Sequence, residues 1–596
     1  LNATLLLQAL QPAAAAAATG ALISAVSGTA ANSGRSWIWP LALLGGTLLA
    51  GQGADPFSSM LRSLAARRID GERRTVLSRL AADTSGIAPL ENPAVRDDLL
   101  LASARPSTNW TESTPGQAAV AQLRLLFRIV QATACAVVLL QYSWWLVLLM
   151  LVAVLGTRAV LSSSTLAITE LAAHGMPAAR RERYWRDQAI APGPAKEIRV
   201  FRLRSWVTGH WRDAFLDRVG PVWHRGSELS TRQWTAFLAL TASAFAGFTA
   251  LGLGAVHGGV STGGLGAMLA AVIGLLSLAA SDHDTVAAVG GLPSMGAMER
   301  LRRQLGHGSE AAPPDTAVPG TAGPDTTADP PLIRFEGVGF RYPGAGRPVL
   351  EGCDLEIRPG EVLALVGSNG AGKTTMAKLL TGLYRPDAGS ITADGRDIAT
   401  IAPGSWRRRL AAVFQDFVQY PLPVIDNIAL GAPFAAYDRA ALIASARDAG
   451  SEELIQRLPA TWDTPLSTAF TGGVDLSGGQ WQHIALTRAM LAIRAGAQVL
   501  VLDEPTAHLD VRTELEVFRR VIHGLPNVTV VLISHRLSTL RHADRIACLA
   551  GGRVVETGSH EELIAMAGVY ADLFADQAAD RRALEVGPDD VAGGTT

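Results

Sequence analysis

Lysine is nearly absent: Lys196, Lys373 and Lys378 are the three lysines among 52 basic residues, and every other basic residue is arginine. A chain that replaces lysine almost everywhere yet keeps it at 373 points to a position that needs a compact ammonium on a flexible stem rather than a planar fork. Lys378 is retained on the same predicted helix, so the bias marks this segment. Cysteine is as scarce. Cys135, Cys353 and Cys548 are odd in number and scattered, which excludes a disulfide framework and a clustered metal site and leaves three small buried hydrophobes. Positive charge is not in excess either: the net charge of −1 gives no footprint for nucleic acid.

What the chain has is length and long apolar runs. Its 596 residues exceed one ordinary core. Before about Leu305 the runs are long, whereas after Pro331 charge mixes with short β-branched runs as in a soluble α/β domain. Six stretches, Leu5–Ser27, Trp37–Gly53, Val120–Leu140, Ser143–Leu161, Gln233–Val256 and Thr262–Ala280, each approach the ~20 residues that span a bilayer. The first is the weakest, because Gln8, Gln11 and Pro12 interrupt it. Its position invites a signal-peptide reading, against which stands the lack of a basic flank; the chain opens on Leu1 rather than methionine, so a missing start is expected.

Short turns pair these stretches, and two long polar loops separate the pairs. Residues 54–119 carry Arg62, Arg67, Arg68, Arg73, Arg74 and Arg79, and residues 162–232 carry a second basic set from Arg180 to Arg204. The short connections near Arg35, Gln141 and His257 hold almost no positive charge, so the positive-inside rule puts both long loops in the cytoplasm. His307–Pro331 is rich in Pro, Gly, Ala, Thr and Asp and reads as a linker. The expected domains are therefore a helical membrane part over 1–306, a linker over 307–331, a nucleotide domain over 332–577 and a flexible tail over 578–596.

The chemistry is concentrated in the second half. Glu361–Val366 reads as a buried strand feeding the glycine loop Gly367, Ser368, Asn369, Gly370, Ala371, Gly372, Lys373, Thr374, and Thr375–Leu380 continues as a helix. Strand, loop and helix in that order are the context a Walker A loop requires. Its glycines let backbone N–H groups wrap phosphates at a helix start. Lys373 would reach the β- and γ-phosphates and Thr374 would offer its hydroxyl to Mg²⁺. A second apolar strand, Val499–Leu502, ends in Asp503 and Glu504. The end of a parallel strand suits a carboxylate that holds a metal's hydration shell, Asp503, followed by one that polarises water, Glu504.

With these motifs in order, residues 332–577 resemble an ATP-binding-cassette (ABC) nucleotide-binding domain. The resemblance implies that Tyr342 stacks on adenine, that Gln415 is the glutamine sensing Mg²⁺ and contacting the membrane part, and that Leu476, Ser477, Gly478, Gly479 and Gln480 form the signature sequence. It further implies that Asp510 belongs to the D-loop and that His535 is the switch histidine reaching the γ-phosphate. His483 and His508 depart slightly from common family usage. Ser477 and Gly479 would cap the phosphate bound by the opposite domain's Walker A loop, so two chains must close on two ATP molecules. A second copy is the expected partner, and a heterodimer the alternative.

Six spans followed by one such domain resemble an ABC exporter half-transporter: an all-α six-helix transmembrane domain fused to an α/β P-loop ATPase. The resemblance implies short coupling helices near Glu91–Asp97 and Pro194–Phe201. Asp282, His283 and Asp284 are expected to be a helix end meeting water, with a titrating cavity cluster as the alternative. The expected activity is ATP-driven export of an amphipathic or hydrophobic compound, such as an antibiotic, drug or peptide natural product, across a bacterial plasma membrane. Its cofactors would be ATP and Mg²⁺, and its partners the bilayer and a small-molecule or peptide cargo. Lipid flipping and siderophore import keep the same fold with another cargo or direction. A regulatory subunit that binds ATP but hardly turns over is the reading from another class, and Glu504 counts against it.

Overall fold

The computed structural model describes residues 1–27, 37–84, 86–103, 113–279, 282–310, 329–433, 439–505, 525, 527–534 and 537–575. They form two units: Leu1–Ala82 with Pro93–Gln304, and Asp83–Asn92 with Leu305–Thr596. The boundary near Leu305 is where long apolar runs give way to mixed charge.

In the first unit each apolar stretch becomes a helix: α1 (Asn2–Ser27), α2 (Ile38–Ala82), α5 (Pro115–Leu140), α6 (Trp144–His174), α9 (Arg204–Val256) and α10 (Thr262–Leu276). The intervening segments α4 (Pro93–Ser103), α7 (Met176–Ile190), α8 (Ala195–Val200), α11 (Asp282–Gly290) and α12 (Leu292–Glu310) are helical as well, and α3 (Ala88–Glu91) falls in the second unit. Among the described residues α1, α5, α6 and α9 are long and apolar enough to cross a membrane, while the apolar part of α10 is shorter. The 53 residues of α9 reach about 80 Å at 1.5 Å per residue. That is far beyond the ~30 Å of a hydrocarbon core, so its polar half continues outside the apolar layer. Most of the long polar loops are thus helical extensions.

Polar interruptions in these helices have local explanations. Gln8, which breaks the first apolar stretch, donates to the Ser58 hydroxyl at 3.0 Å and to Asp55. Gly20 and Gly263 let α1 and α10 touch through their backbones: a Cβ on Gly263 would lie 1.8 Å from Ser24 Oγ. Thr114 and Gln117 close a capping box at the start of α5, with Pro115 as its first residue. Cys135, Leu139, Leu146, Met150, Leu251 and Leu275 fill the core.

The second unit contains two sheets. One has the order β2-β1-β4-β5 from β1 (Ile333–Phe340), β2 (Leu350–Ile357), β4 (Ala388–Ala393) and β5 (Arg396–Asp397), and is antiparallel. The other has the order β10-β9-β3-β8-β7-β6, from β3 (Val362–Gly367), β6 (Leu410–Val413), β7 (Val499–Asp503), β8 (Thr529–Ile533), β9 (Arg545–Ala550) and β10 (Arg553–Gly558). Its strands run parallel except for the β9–β10 edge. β7 and β8 are buried throughout, as strands covered on both faces must be, and this is why they read as unbroken apolar runs. Helix α13 (Lys373–Leu380) follows β3, and α14 (Gly478–Arg494) packs against β6 and β7.

Two expectations about helix ends are corrected. The break in the first long polar segment forms the short helix Ala88–Glu91, ahead of the expected Glu91–Asp97, because Pro93 starts a new helix after an extended Asn92. Asp284 does not meet water: it is buried and ion-paired with Arg124 at 2.6 Å and Arg128 at 3.4 Å. The second short helix, Ala195–Val200, forms where expected.

Candidate nucleotide site

The parallel register brings the motif residues to one sheet edge. Val413 pairs with Leu502, Asp503 with Ile533, and Ile533 lies one strand from the end of β3. Gln415, Asp503, Glu504, Ser534 and the Gly367 loop therefore all leave the sheet at the carboxyl ends of adjacent strands, where ligands bind open α/β sheets.

Gly367, Gly370 and Gly372 have φ of 150°, 82° and 107°. A Cβ at Gly367 would lie 2.4 Å from the Leu549 carbonyl oxygen, and one at Gly372 would lie 2.7 Å from Leu350 Cδ2. Only glycine supplies both the conformation and the space, and the result is a backbone cradle shaped for an oxyanion. Ser368, Asn369 and Ala371 complete the loop, and Gly372 caps α13, which opens with Lys373, Thr374 and Thr375. Lys373 Nζ donates to the carbonyl oxygens of Gly367 at 2.8 Å and Ser368 at 3.0 Å, so it lies across the loop mouth. Burial holds its pKa below the usual lysine range, against the opposing pull of Glu504 and Asp503.

Asp503 is 1% exposed, and among the described residues no group comes close enough to either carboxylate oxygen to complete a hydrogen bond, the Thr374 hydroxyl included. Burial pushes its pKa up; the Thr374 hydroxyl and Lys373 pull it down, and Glu504 pushes it further up. A buried carboxylate with open lone pairs beside a threonine hydroxyl is a hard-oxygen donor set, and it fits Mg²⁺. Glu504 sits in the left-handed region with φ 49°, a strained conformation for glutamate, and its N–H donates to Ile533 O at 3.0 Å. That turn sends the side chain off the strand end. Gln415 is exposed, two residues past β6.

Tyr342 follows β1, and its hydroxyl lies 3.1 Å from Thr375 Oγ1. Its ring packs edge-on against Tyr384 with centroids 5.3 Å apart, and Lys378 Nζ stands 5.7 Å from its centroid. Tyr384 is buried and donates to the Glu91 carboxylate at the end of α3, while Ile87 N–H donates to Leu383 O. This link from the aromatic pair to the Asp83–Asn92 segment was not read from the sequence.

Ser477 caps α14. Its hydroxyl accepts from Gln480 N–H at 3.3 Å, and Gln480 Oε1 accepts from Ser477 N–H at 2.9 Å. Ser477, Gly478 and Gln480 are exposed and Gly479 is half-buried. The Ser477 hydroxyl accepts in this box and keeps its own proton free to donate at a helix N-terminus. His483 bonds the Ala449 carbonyl at 3.0 Å, which gives that unusual residue a structural use. Gln482 Nε2 reaches Glu504 O at 3.4 Å, another contact missed in the sequence. His508, Asp510 and His535 lie outside the described residues.

Residues 350–507 match the family described as ABC transporter. The chain is 36% identical over 332 residues to the ATP-dependent lipid A-core flippase of Chromobacterium violaceum, covering 56% of this chain and 54% of that protein. It is 38% identical over 283 residues to the cyclolysin secretion/processing ATP-binding protein CyaB of Bordetella pertussis, covering 48% and 38%. The chain thus spans about half the length of the first of these curated relatives and less of the second. A solved bacterial Atm1-family ABC exporter with ATP bound shares the fold, with TM-score 0.75, 23% identity and 97% of each chain covered. Residues 350–507 accordingly carry the match to the ABC transporter family, and the whole chain has the fold of that solved exporter, a helical part ahead of an α/β domain.

Proposed function

We propose that this chain is one half of an ATP-driven exporter of an amphipathic or hydrophobic compound, working as a dimer in a bacterial plasma membrane with its nucleotide domains in the cytoplasm. One observation carries the reading. The phosphate cradle, Lys373, Asp503 and Glu504 gather at one sheet edge, while Ser477–Gln480 stands exposed at a separate helix start. A second copy would bring its Ser477 and Gly479 to the first copy's phosphates.

Within such a site Lys373 binds the β- and γ-phosphates, Tyr342 stacks on the base, and Glu504 orients the water that attacks the γ-phosphorus, releasing ADP and phosphate. Asp510 and His535 belong to the same proposed machinery. Thr374, Gln415 and Asp503 would hold Mg²⁺, which when bound neutralises phosphate charge. Closure of the dimer would draw the cytoplasmic helix ends together and bias the helical part outward. This requires ATP to favour the closed state, since equal affinity for both states shifts nothing.

The test is hydrolysis by the purified, reconstituted chain with and without Glu504→Gln, together with ATP-dependent uptake into inverted vesicles. The proposal expects a rate that falls about 10²–10⁴-fold in the variant. Absence of a rate in either protein supports the regulatory-subunit reading and refutes this one. Lipid flipping is the second reading, favoured by the flippase among the relatives, and accumulation of labelled lipid but of no antibiotic or peptide would select it.

A further inference from the structure

A cavity of about 1320 Å³ lies within the helical unit. One wall is a stripe of α2 containing Arg62, Ala66, Asp70 and Arg74, spaced by four residues so that they share a face, with Arg67 beside them. Arg124 of α5 and Asp284 of α11 add to it. The arginines of α2 lie beyond Gly53, where that helix's apolar stretch ends, and Arg124 lies toward the end of α5 opposite Leu140. The basic part of the cavity is thus outside the most apolar layer of the helices.

Charge in this wall does not cancel. Four arginines of the wall, Arg62, Arg67, Arg74 and Arg124, face two carboxylates: Asp70, which accepts the Gly116 backbone N–H at 2.8 Å and keeps its charge, and Asp284, which holds Arg124 and Arg128. Arg62 senses Asp284 and Asp55 electrostatically but makes no ion pair with a described residue, and neither Arg67 nor Arg74 has a hydrogen bond or ion pair to another described residue. Three guanidinium forks that form no ion pair with a described residue repel one another and match the geometry of an oxyanion. The same cavity has an apolar side, from Val120, Ala121, Leu161, Ile168, Val286 and Ala287.

We infer that this cavity receives the oxyanionic head of an amphipathic cargo, a phosphate or carboxylate carried on an apolar body, with Arg62, Arg67 and Arg74 as its binding residues. The assignment deepens the transporter reading and rests on it. It narrows the cargo from any amphipathic compound to an anionic one.

The test uses the full chain in phosphatidylcholine nanodiscs without nucleotide and a fluorescent dodecyl phosphate monoester, read by anisotropy against empty nanodiscs. Replacing Arg62, Arg67 and Arg74 together by Gln is expected to weaken binding by well over tenfold. Arg67→Gln, at an exposed residue without a partner among the described residues, is expected to weaken it by about tenfold, the scale of one lost charge-assisted hydrogen bond. Arg79→Gln removes the same charge from an exposed site on the same helix outside the cavity wall, and is expected to change nothing. Dodecyltrimethylammonium and inorganic phosphate are expected to compete poorly. Unchanged binding by Arg67→Gln, an equal loss in Arg79→Gln, or displacement by either competitor as effective as unlabelled dodecyl phosphate overturns the assignment. Because binding is read without ATP, a failure to hydrolyse ATP counts against the transporter reading and leaves this result standing.

Discussion

Asp503 bears a local conflict: a carboxylate closed off from water, with two oxygens that complete no hydrogen bond among the described residues. An uncompensated buried charge costs stability until a cation meets it. Its raised pKa fixes the sign of the pH dependence. Between the unfolded and folded values the folded chain binds the extra proton, so the nucleotide-free fold is favoured as pH falls through that window and disfavoured as pH rises through the folded value. Asp503→Asn is therefore expected to raise the melting temperature of the nucleotide-free protein at neutral pH, to narrow that gap as pH falls, and to abolish hydrolysis; scanning fluorimetry across pH checks it. A less stable Asn variant at neutral pH would contradict the assignment of strain to this charge. Glu504 differs in kind, because its cost is in the backbone at φ 49° and its carboxylate is the proposed water-orienting group. Glu504→Gln is expected to keep ATP binding while losing turnover, which equilibrium binding and phosphate release would separate.

At the scale of elements, legibility followed sequence distance. The Walker A loop, β7 with its terminal carboxylates and the Ser477–Gln480 cap were readable, because each is a local pattern whose period or spacing is set by one strand, one turn or one helix start. The Tyr384–Glu91 bond joins residues 293 apart, and the Arg124–Asp284 pair joins residues 160 apart. Nothing in a local window signals such pairings, which is why Asp284 was misread as a helix end in water. The cap yields a discriminating substitution. Ser477→Asp retains an N-cap acceptor, so the helix should keep its stability, whereas Ser477→Ala should lose about 1 kcal/mol. Both are expected to lose hydrolysis, the aspartate because it sets negative charge against phosphate; an active Ser477→Asp variant would leave the residue only a structural role. Tyr384→Phe removes the bond to Glu91 while leaving the ring that packs on Tyr342. It is expected to preserve basal hydrolysis and to bring the ratio of cargo-stimulated to basal rate toward one, measured in proteoliposomes.

For the whole molecule, the order of helical part and ATPase domain was legible because the bilayer and the α/β core impose such different patterns on a chain. The cavity was not, since its wall is assembled from five helices distant in sequence, although the arginines of α2 were visible as a basic run. In the proposed dimer two chains complete each other's nucleotide sites, and co-expression of Lys373→Ala with Ser477→Arg puts this pairing to the test. Each variant is expected to be inactive when expressed by itself. Mixed dimers hold one site with both an intact phosphate loop and an intact signature, so activity should return to about a quarter of the unsubstituted rate if chains pair at random. Purified mixed dimers that remain inactive, or a Ser477→Arg protein that hydrolyses ATP at full rate unaided, would contradict the claim.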